Sequence, residues 1–535
     1  MRKVSGFLAE VAVCLAAAFF SVSAVAGGAS GTAVVAIHEE PVTLNPILGP
    51  AMSYATLVEQ PMFPNLFRIA PSGDLTPDLA TVVPTKANGG ISQDGLTYVL
   101  HLREGVTWSD GKPFTAQDVL ETWRLIVDPH VRALTTEGYS NIAQGDAVNA
   151  HTVRFVLKSK YAPFLAACWS NAQSAILPAH VFQPIGAAGV NDASYNTAPT
   201  VTLGPFRFVS WNHGAAITLA ANPNYYGAKP KLSQIVFQVM PDQNTILSSL
   251  QAGSVNLAQV GPTQVTTLQS DRNVQLHAFD HTSWEAAAMN LHDPILADVR
   301  VRRALEYGID RKAIVEQVLR GYASLIADAV VPSSWAYDPQ IQPYPYSPKT
   351  ASQLLEGAGW KMQGGVRYKD GKPLELTYST TSGNPGREET EQIMQQELGQ
   401  IGVRLNIRNY PATVLFGDIL YHGKFQLAEF QPTGGPDPLL RIARADSCHA
   451  FPPEGANYGY WCDPRIDPLL NENAASSSRA QRKKIFREIA QIESEQMPYL
   501  YLYSLKAIVA TSQLHGYEPN PYGQPAWNSE MWSVP

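Results

Sequence analysis

The sequence predicts an α/β protein of two or three domains, and three observations predict it. The chain has 535 residues, more than one hydrophobic core normally serves. Its apolar content is 45% with 16% charged residues, the balance of a globular chain that is neither disordered nor membrane-saturated. Through the second half, apolar segments of period 2 alternate with segments of period 3.6, the pattern of strands and helices in turn. The 40 prolines and 39 glycines are scattered, which suits long loops better than collagenous or low-complexity sequence. No fixed-period repeat is visible. A net charge of −7 without a long like-charge run argues against nucleic acid or an anionic membrane as the main partner.

The elements follow in order. Residues 1–26 read as a secretion signal: Arg2 and Lys3, an apolar run over 11–22, then Ala24-Val25-Ala26 as the cleavage site. The run is shorter than a bilayer span requires, and no later stretch is long and apolar enough to cross one. TAVVAI at 32–37 is a strand, followed by the loop VTLNPILGPAMSY and a partly helical stretch at 57–67. At 94–126 Leu96, Tyr98, Leu100 and Leu102 alternate as a half-buried strand, 106–108 is a second short strand, and Asp110-Gly111 turns the chain. A helix then starts at Thr115, with Asp118 placed to complete a capping box and Phe114 to staple onto Val119. The strand HTVRFVLK lies at 151–158, and the small, polar stretch 187–199 suggests a crossing between domains.

Beyond it, 204–227 reads as two antiparallel strands across an Asn-His-Gly turn, 231–242 as a further strand, and 244–252 as a helix closed by Gly253. Asp298 and Asp310 cap two helices; the Arg300, Arg302 and Arg303 cluster reads as a solvated, salt-bridged face rather than a phosphate site. Helices at 347–359, 388–401 and 478–495 alternate with strands at 374–379, 403–408 and 498–503, and 413–421 is mostly helical. Residues 508–510 cross back toward the first domain.

The sequence holds no H-E-x-x-H, no G-x-x-x-x-G-K-S/T, no G-x-G-x-x-G and no G-x-S-x-G, and no catalytic residue, metal site or cofactor is assigned. His277 and His281, four apart near Asp280 and Glu285, read as hinge or surface histidines ahead of metal ligands. Cys448 and Cys462 flank a Pro/Gly/Tyr-rich loop, where an oxidising compartment favours a disulfide worth roughly 3 kcal/mol. Cys168 reads as a buried free thiol. Cys448, His449 and Cys462 lack zinc-ligand spacing.

The string DGLTYVLHLREGVTWSDGKPFTAQDVLETWRLI at 94–126 closely resembles a segment of the extracytoplasmic solute-binding proteins that feed peptide-type ABC importers, the peptide/nickel-type family 5. Three further segments resemble that family in its own order: 204–257, 297–321 and NYGYWCDPRIDPLL at 457–470. The resemblance implies a two-lobed periplasmic-binding-protein fold (type II, large cluster), with mixed sheets and hinge strands between the lobes. It divides the chain into lobe one at 27–56, 198–283 and 508–535, an inserted extra domain at 57–197, and lobe two at 284–507. It implies capture of a peptide or peptide-like solute in the cleft by hinge closure, delivery to the importer's permease subunits, a monomeric periplasmic protein, and no catalysis. A sensing adaptor for a membrane receptor, or a binder of an oligosaccharide, opine or metal chelate, stays open.

By the same resemblance the pocket residues are Tyr54 in the early loop, the hinge-proximal Trp284, Gln431, Thr433, Gly434 and Asp437 in EFQPTGGPDP, and Tyr458 and Trp461. One departure stands out. Peptide-binding relatives commonly carry Trp-x-x-Asp-x-x-Asp-Pro in this loop, the first Asp pairing with the peptide's amino group. Aligned on Asp437-Pro438, this chain has Gln431 for the Trp and Gly434 for that Asp. A free-amine peptide therefore loses its expected partner at this position.

Overall fold

In the computed structural model, residues 30–48, 53–170, 175–432, 434–523 and 525–535 are described. The expected signal at 1–26, part of the early loop and Thr433 lie outside the described residues. Among the described residues, a 12-stranded mixed sheet runs through both lobes. Its spine is Tyr499–Ser512, a strand of 14 residues. Its aromatic and β-branched composition favours extended backbone, and its two ends are buried on both faces.

The first part of this strand pairs antiparallel with Glu285–Met289 and Ala323–Leu325; the rest pairs with Val274–Asp280 and Leu257–Gln259. From there the sheet continues in lobe two through Leu427–Phe430, Glu375–Ser379 and Arg404–Ile407. In lobe one it continues through Thr32–Ile37, Gln234–Val239, Ala216–Ala221 and Phe206–Asn212. By sequence the spine is expected as two pieces, 498–503 and 508–510, because Ser504-Leu505-Lys506 interrupts the apolar run. The strand runs straight through because partners from both lobes satisfy its backbone.

Each lobe has its own apolar interior. In lobe one Val35, Leu57, Trp108, Phe155, Trp169, Phe237 and Val509 belong to one continuous core, so the 57–197 segment shares its packing with the rest of the lobe. In lobe two the spine's alternation decides the packing. Leu500 and Leu502 face the core under Val301, Leu355 and Leu398, while Tyr499 and Tyr501 face the core with Ile442 and Phe486.

The 94–126 unit forms with its predicted cap. The Thr115 side chain accepts from the Gln117 amide, and the Asp118 carboxylate accepts from the Thr115 amide at 2.7 Å. The expected strand at 106–108 is reduced to a single bridge between Thr107 and Pro113, since a proline has no N–H to extend the ladder. The arginine cluster also departs from the reading. Arg300 is a surface partner of Asp298, but Arg302 is buried and donates to the carbonyls of Leu296 and Met497, at 2.7 and 2.9 Å. Cys448 and Cys462 are joined, with Cα atoms 4.8 Å apart, and Cys168 is a buried free thiol.

The lobes meet outside the spine as well. The Ala162 amide donates to the Ala474 carbonyl at 2.7 Å, Arg479 pairs with Asp74 at 2.6 Å, and the Tyr522 hydroxyl donates to the Ser333 carbonyl at 2.5 Å. This is a closed arrangement. Arg479 also donates to the Gly73 carbonyl and lies over the Trp335 ring. Because the ion pair is exposed, it is worth about 1 kcal/mol at most. Arg479→Ala is expected to move the closed-to-open ratio of the ligand-free protein about fivefold toward open. Small-angle scattering checks this as a larger radius of gyration; an unchanged profile would show that these contacts do not hold the lobes together.

Candidate functional site

Where the two halves of the sheet part, a cavity of about 750 Å³ opens between the lobes. Its floor is made by the two nearby chain passages between the lobes: the linker His281, Thr282 and Ser283, and the middle of the spine, Leu505 to Ala507. Those three spine residues are its only partly exposed members. The 57–197 segment, packed on lobe one, supplies Glu59, Asn65, Arg68 and Glu137, and lobe two Gln431, Gly434, Arg441 and Arg444. The C-terminal stretch adds Asn520, Tyr522 and Glu530.

Of the residues expected from sequence, Gln431 and Gly434 line this cavity. Gly434 is there for want of room. A Cβ on it would lie 2.1 Å from the Thr282 carbonyl oxygen. The Thr282 hydroxyl donates to the Gly434 carbonyl at 3.2 Å and the Trp284 amide to the Pro432 carbonyl at 3.3 Å. The loop is therefore clamped on the linker, and an aspartate at 434 has no space in this arrangement.

The other expected residues lie elsewhere. Asp437 is buried against Arg482, which donates to it twice at 2.5 and 2.6 Å, and it also accepts from the Leu439 amide at the start of helix Leu439–Asp446. It anchors the helix that carries Arg441 and Arg444. Trp284 and Trp461 are buried in the second core of lobe two, with Tyr458 packed against it edge-on to Phe430. Tyr54 packs against the lobe-one core. For these large rings, burial among apolar neighbours outweighs a place on a wet wall.

The charged groups of the walls were not singled out from sequence. Arg441 and Arg444 are three apart on one amphipathic helix, a spacing that puts both on one face. Glu59 is a lone acid in the apolar run ATLVEQPMF. Both signals were legible, but either also fits an ordinary solvated face.

The electrostatics of the walls differ. Arg68 is answered on the same side of the cavity by Asp78 at 3.0 Å and by Glu530 of the C-terminal stretch at 2.7 Å. Glu59 is 4% exposed and has no side-chain partner among the described residues; burial pushes its carboxyl up to about 8. Burial also raises the Glu137 carboxyl, with Arg444, the Tyr161 hydroxyl and Arg441 pulling it back. Burial pushes the His281 imidazole down. Its Nδ1 accepts from the Ser283 amide at 3.3 Å, leaving the ring proton on Nε2. Wall groups can thus offer carboxyl, guanidinium, hydroxyl and backbone partners to a polar solute.

Three comparisons place this geometry among known proteins. Residues 74–443 match the sequence profile of the bacterial extracellular solute-binding proteins, family 5 Middle. The di/tripeptide-binding protein 2 of Pseudomonas aeruginosa (strain UCBPP-PA14) is 30% identical over 474 residues, covering 83% of this chain and 85% of that protein. The oligopeptide-binding protein AppA of Bacillus subtilis, solved in complex with a nonapeptide, has a TM-score of 0.80 at 26% identity, covering 95% of this chain and 99% of AppA. NikZ from Campylobacter jejuni, solved in complex with Ni(L-His), has a TM-score of 0.81 at 27% identity, covering 94% of this chain and 99% of NikZ.

The Glu59 carboxyl has a consequence for stability. The folded protein keeps a proton that the unfolded chain releases near the ordinary carboxyl value of 4.5. The contribution is full below that value and is lost as pH rises toward about 8. Glu59→Gln is expected to gain on the wild type over this window, by on the order of a few kcal/mol at its upper end. Denaturant unfolding of both proteins at pH 5, 7 and 9 measures the difference; parallel curves would show that Glu59 is ionised in the folded state.

Proposed function

The chain belongs to the bacterial extracellular solute-binding proteins of family 5, and on that premise we propose how it works and what it captures. It is an extracytoplasmic solute-binding protein of the kind that serves ABC importers. The solute is a peptide or peptide-like small molecule, enclosed when the lobes close about 281–283 and 505–507 and then handed to the permease subunits. The observation that carries this reading is the cavity itself: about 750 Å³, within the range of small-molecule sites, with each lobe supplying one wall. A solute touching both walls binds the closed form better than the open one, and so shifts the population toward closure.

Within this reading the units are lobe one at 27–56, 198–283 and 508–535, the inserted 57–197, and lobe two at 284–507. Residues 1–26 direct export and are removed near Ala26, which places the protein in the periplasm. The Cys448–Cys462 disulfide suits such an oxidising compartment. The protein acts as a monomer and engages no nucleic acid. Capture and release make and break no covalent bond. Ser283 and His281 are 3.1 Å apart on the floor, but the contact lies within one turn and no carboxylate is bonded to the ring among the described residues, so the catalytic geometry of an activated serine is not assembled.

A thermal-shift screen of the mature protein tests this. The panel holds peptides, N-blocked peptides, opines, oligosaccharides and metal chelates. A true solute at a hundredfold excess over its Kd should stabilise the protein by about 2.7 kcal/mol. Silence across the panel, with chemical turnover of any member, would contradict the binding reading.

A further inference from the structure

The cavity has a chemical polarity across its two lobes. On the lobe-one side Glu59 is 4% exposed, lines the cavity and has no cation or hydrogen-bond donor on its carboxyl among the described residues. The buried acceptors Gln60 Oε1, Asn65 Oδ1 and Glu530 Oε2 also lack partners, and all three residues line the same cavity. This wall is rich in unpartnered acceptors, and a cation brought beside the Glu59 carboxyl favours its ionised form, releasing the proton that burial holds on it in the empty cavity.

The lobe-two side is the reverse. Arg441 and Arg444 both line the cavity, and neither is ion-paired to a carboxylate among the described residues. Arg441 Nε is buried without an acceptor, and the guanidinium lies 6.0 Å from the centre of the Phe430 ring. Glu137 reaches both arginines electrostatically from the 57–197 segment and Asp446 reaches Arg441 from their own helix, but burial raises both carboxyls toward the neutral form, which leaves the guanidiniums short of counter-charge. The helix that holds them is fixed by the Asp437–Arg482 pair, so their position does not depend on the solute.

We propose that Glu59 recognises an ammonium group and the Arg441–Arg444 pair a carboxylate, so that the solute is a zwitterion spanning the two lobes. This rests on the reading of the chain as a solute-binding protein. It moves amine recognition from the loop at 434, where no side chain fits, to the facing lobe. A zwitterion of this orientation also links the lobes, because neither end is satisfied until both walls are in place.

The test uses the mature protein at pH 7 and three probes built on one scaffold: a randomised di- to pentapeptide library, the same library N-acetylated, and the same library C-amidated. An opine-type zwitterion and maltotriose complete the set, read by thermal shift and then by calorimetry on the strongest binder. The expected result is stabilisation by the free library or the opine-type zwitterion, lost on N-acetylation and weakened on C-amidation. Glu59→Gln should lower the affinity of that binder about tenfold to a hundredfold, the loss of one charge-assisted hydrogen bond. The Arg441→Gln/Arg444→Gln double variant should do the same for its carboxylate end, leaving the C-amidated form unaffected.

Stabilisation by the N-acetylated library or maltotriose as strong as by the free zwitterion would overturn the proposal and leave solute capture standing. So would equal affinity of the wild type and Glu59→Gln for a free-amine binder. Silence from every probe would overturn both. The library comparison is made on the wild type alone, so it holds whatever the folding of the variants.

Discussion

Four strands take their hydrogen bonds from one. Tyr499–Ser512 pairs with two strands of lobe two along its first part and two of lobe one along its second. Every backbone group in a sheet interior must find a partner, so this strand fixes the register of both half-sheets at once. Its middle is where they diverge. Leu505 to Ala507 become partly exposed there, and the cavity opens over them. The site is thus a consequence of the spine: the fold cannot join the two sheets through one strand without leaving a gap between the lobes.

The linker at 281–283 turns that gap into a hinge. It runs beside the spine and carries the clamp that holds the 431–438 loop, through the Thr282 hydroxyl and the Trp284 amide. Close packing at Gly434 is the structural counterpart of the missing acid in the loop. What the loop gives up in charge, the walls supply elsewhere, with Glu59 on one side and Arg441 and Arg444 on the other. The further ties at Asp74–Arg479 and Tyr522–Ser333 are individually weak, which suits lobes that have to reopen.

Local signals are legible in the sequence. The capping box at Thr115 and Asp118 and the alternation at 97–101 depend on neighbours within a few residues, and the structure forms both. The spine reads as two pieces, because a long strand shared by two lobes has no signature of its own where polar residues fall at its midpoint. The family resemblance led to Gln431 and Gly434, but also to Trp284, Trp461 and Tyr458, whose bulk is used for core packing. Asp437 is likewise consumed by Arg482, a partner 45 residues away that spacing alone does not reveal. Glu59, Arg441 and Arg444 do not stand out in the sequence, because a lone charge beside apolar residues is written the same way whether it faces water or a closed cavity. Burial separates the two cases, and burial is a tertiary property.

The central claim is that one solute is held by both lobes at once, and hydrogen exchange on the mature protein with and without its strongest-binding solute tests it most directly. Protection is expected to appear together at 59–68, at 281–283, at 431–444 and at 505–507, with the outer strands of each half-sheet unchanged. Protection confined to one lobe, with the linker and the spine's midpoint exchanging as before, would contradict it.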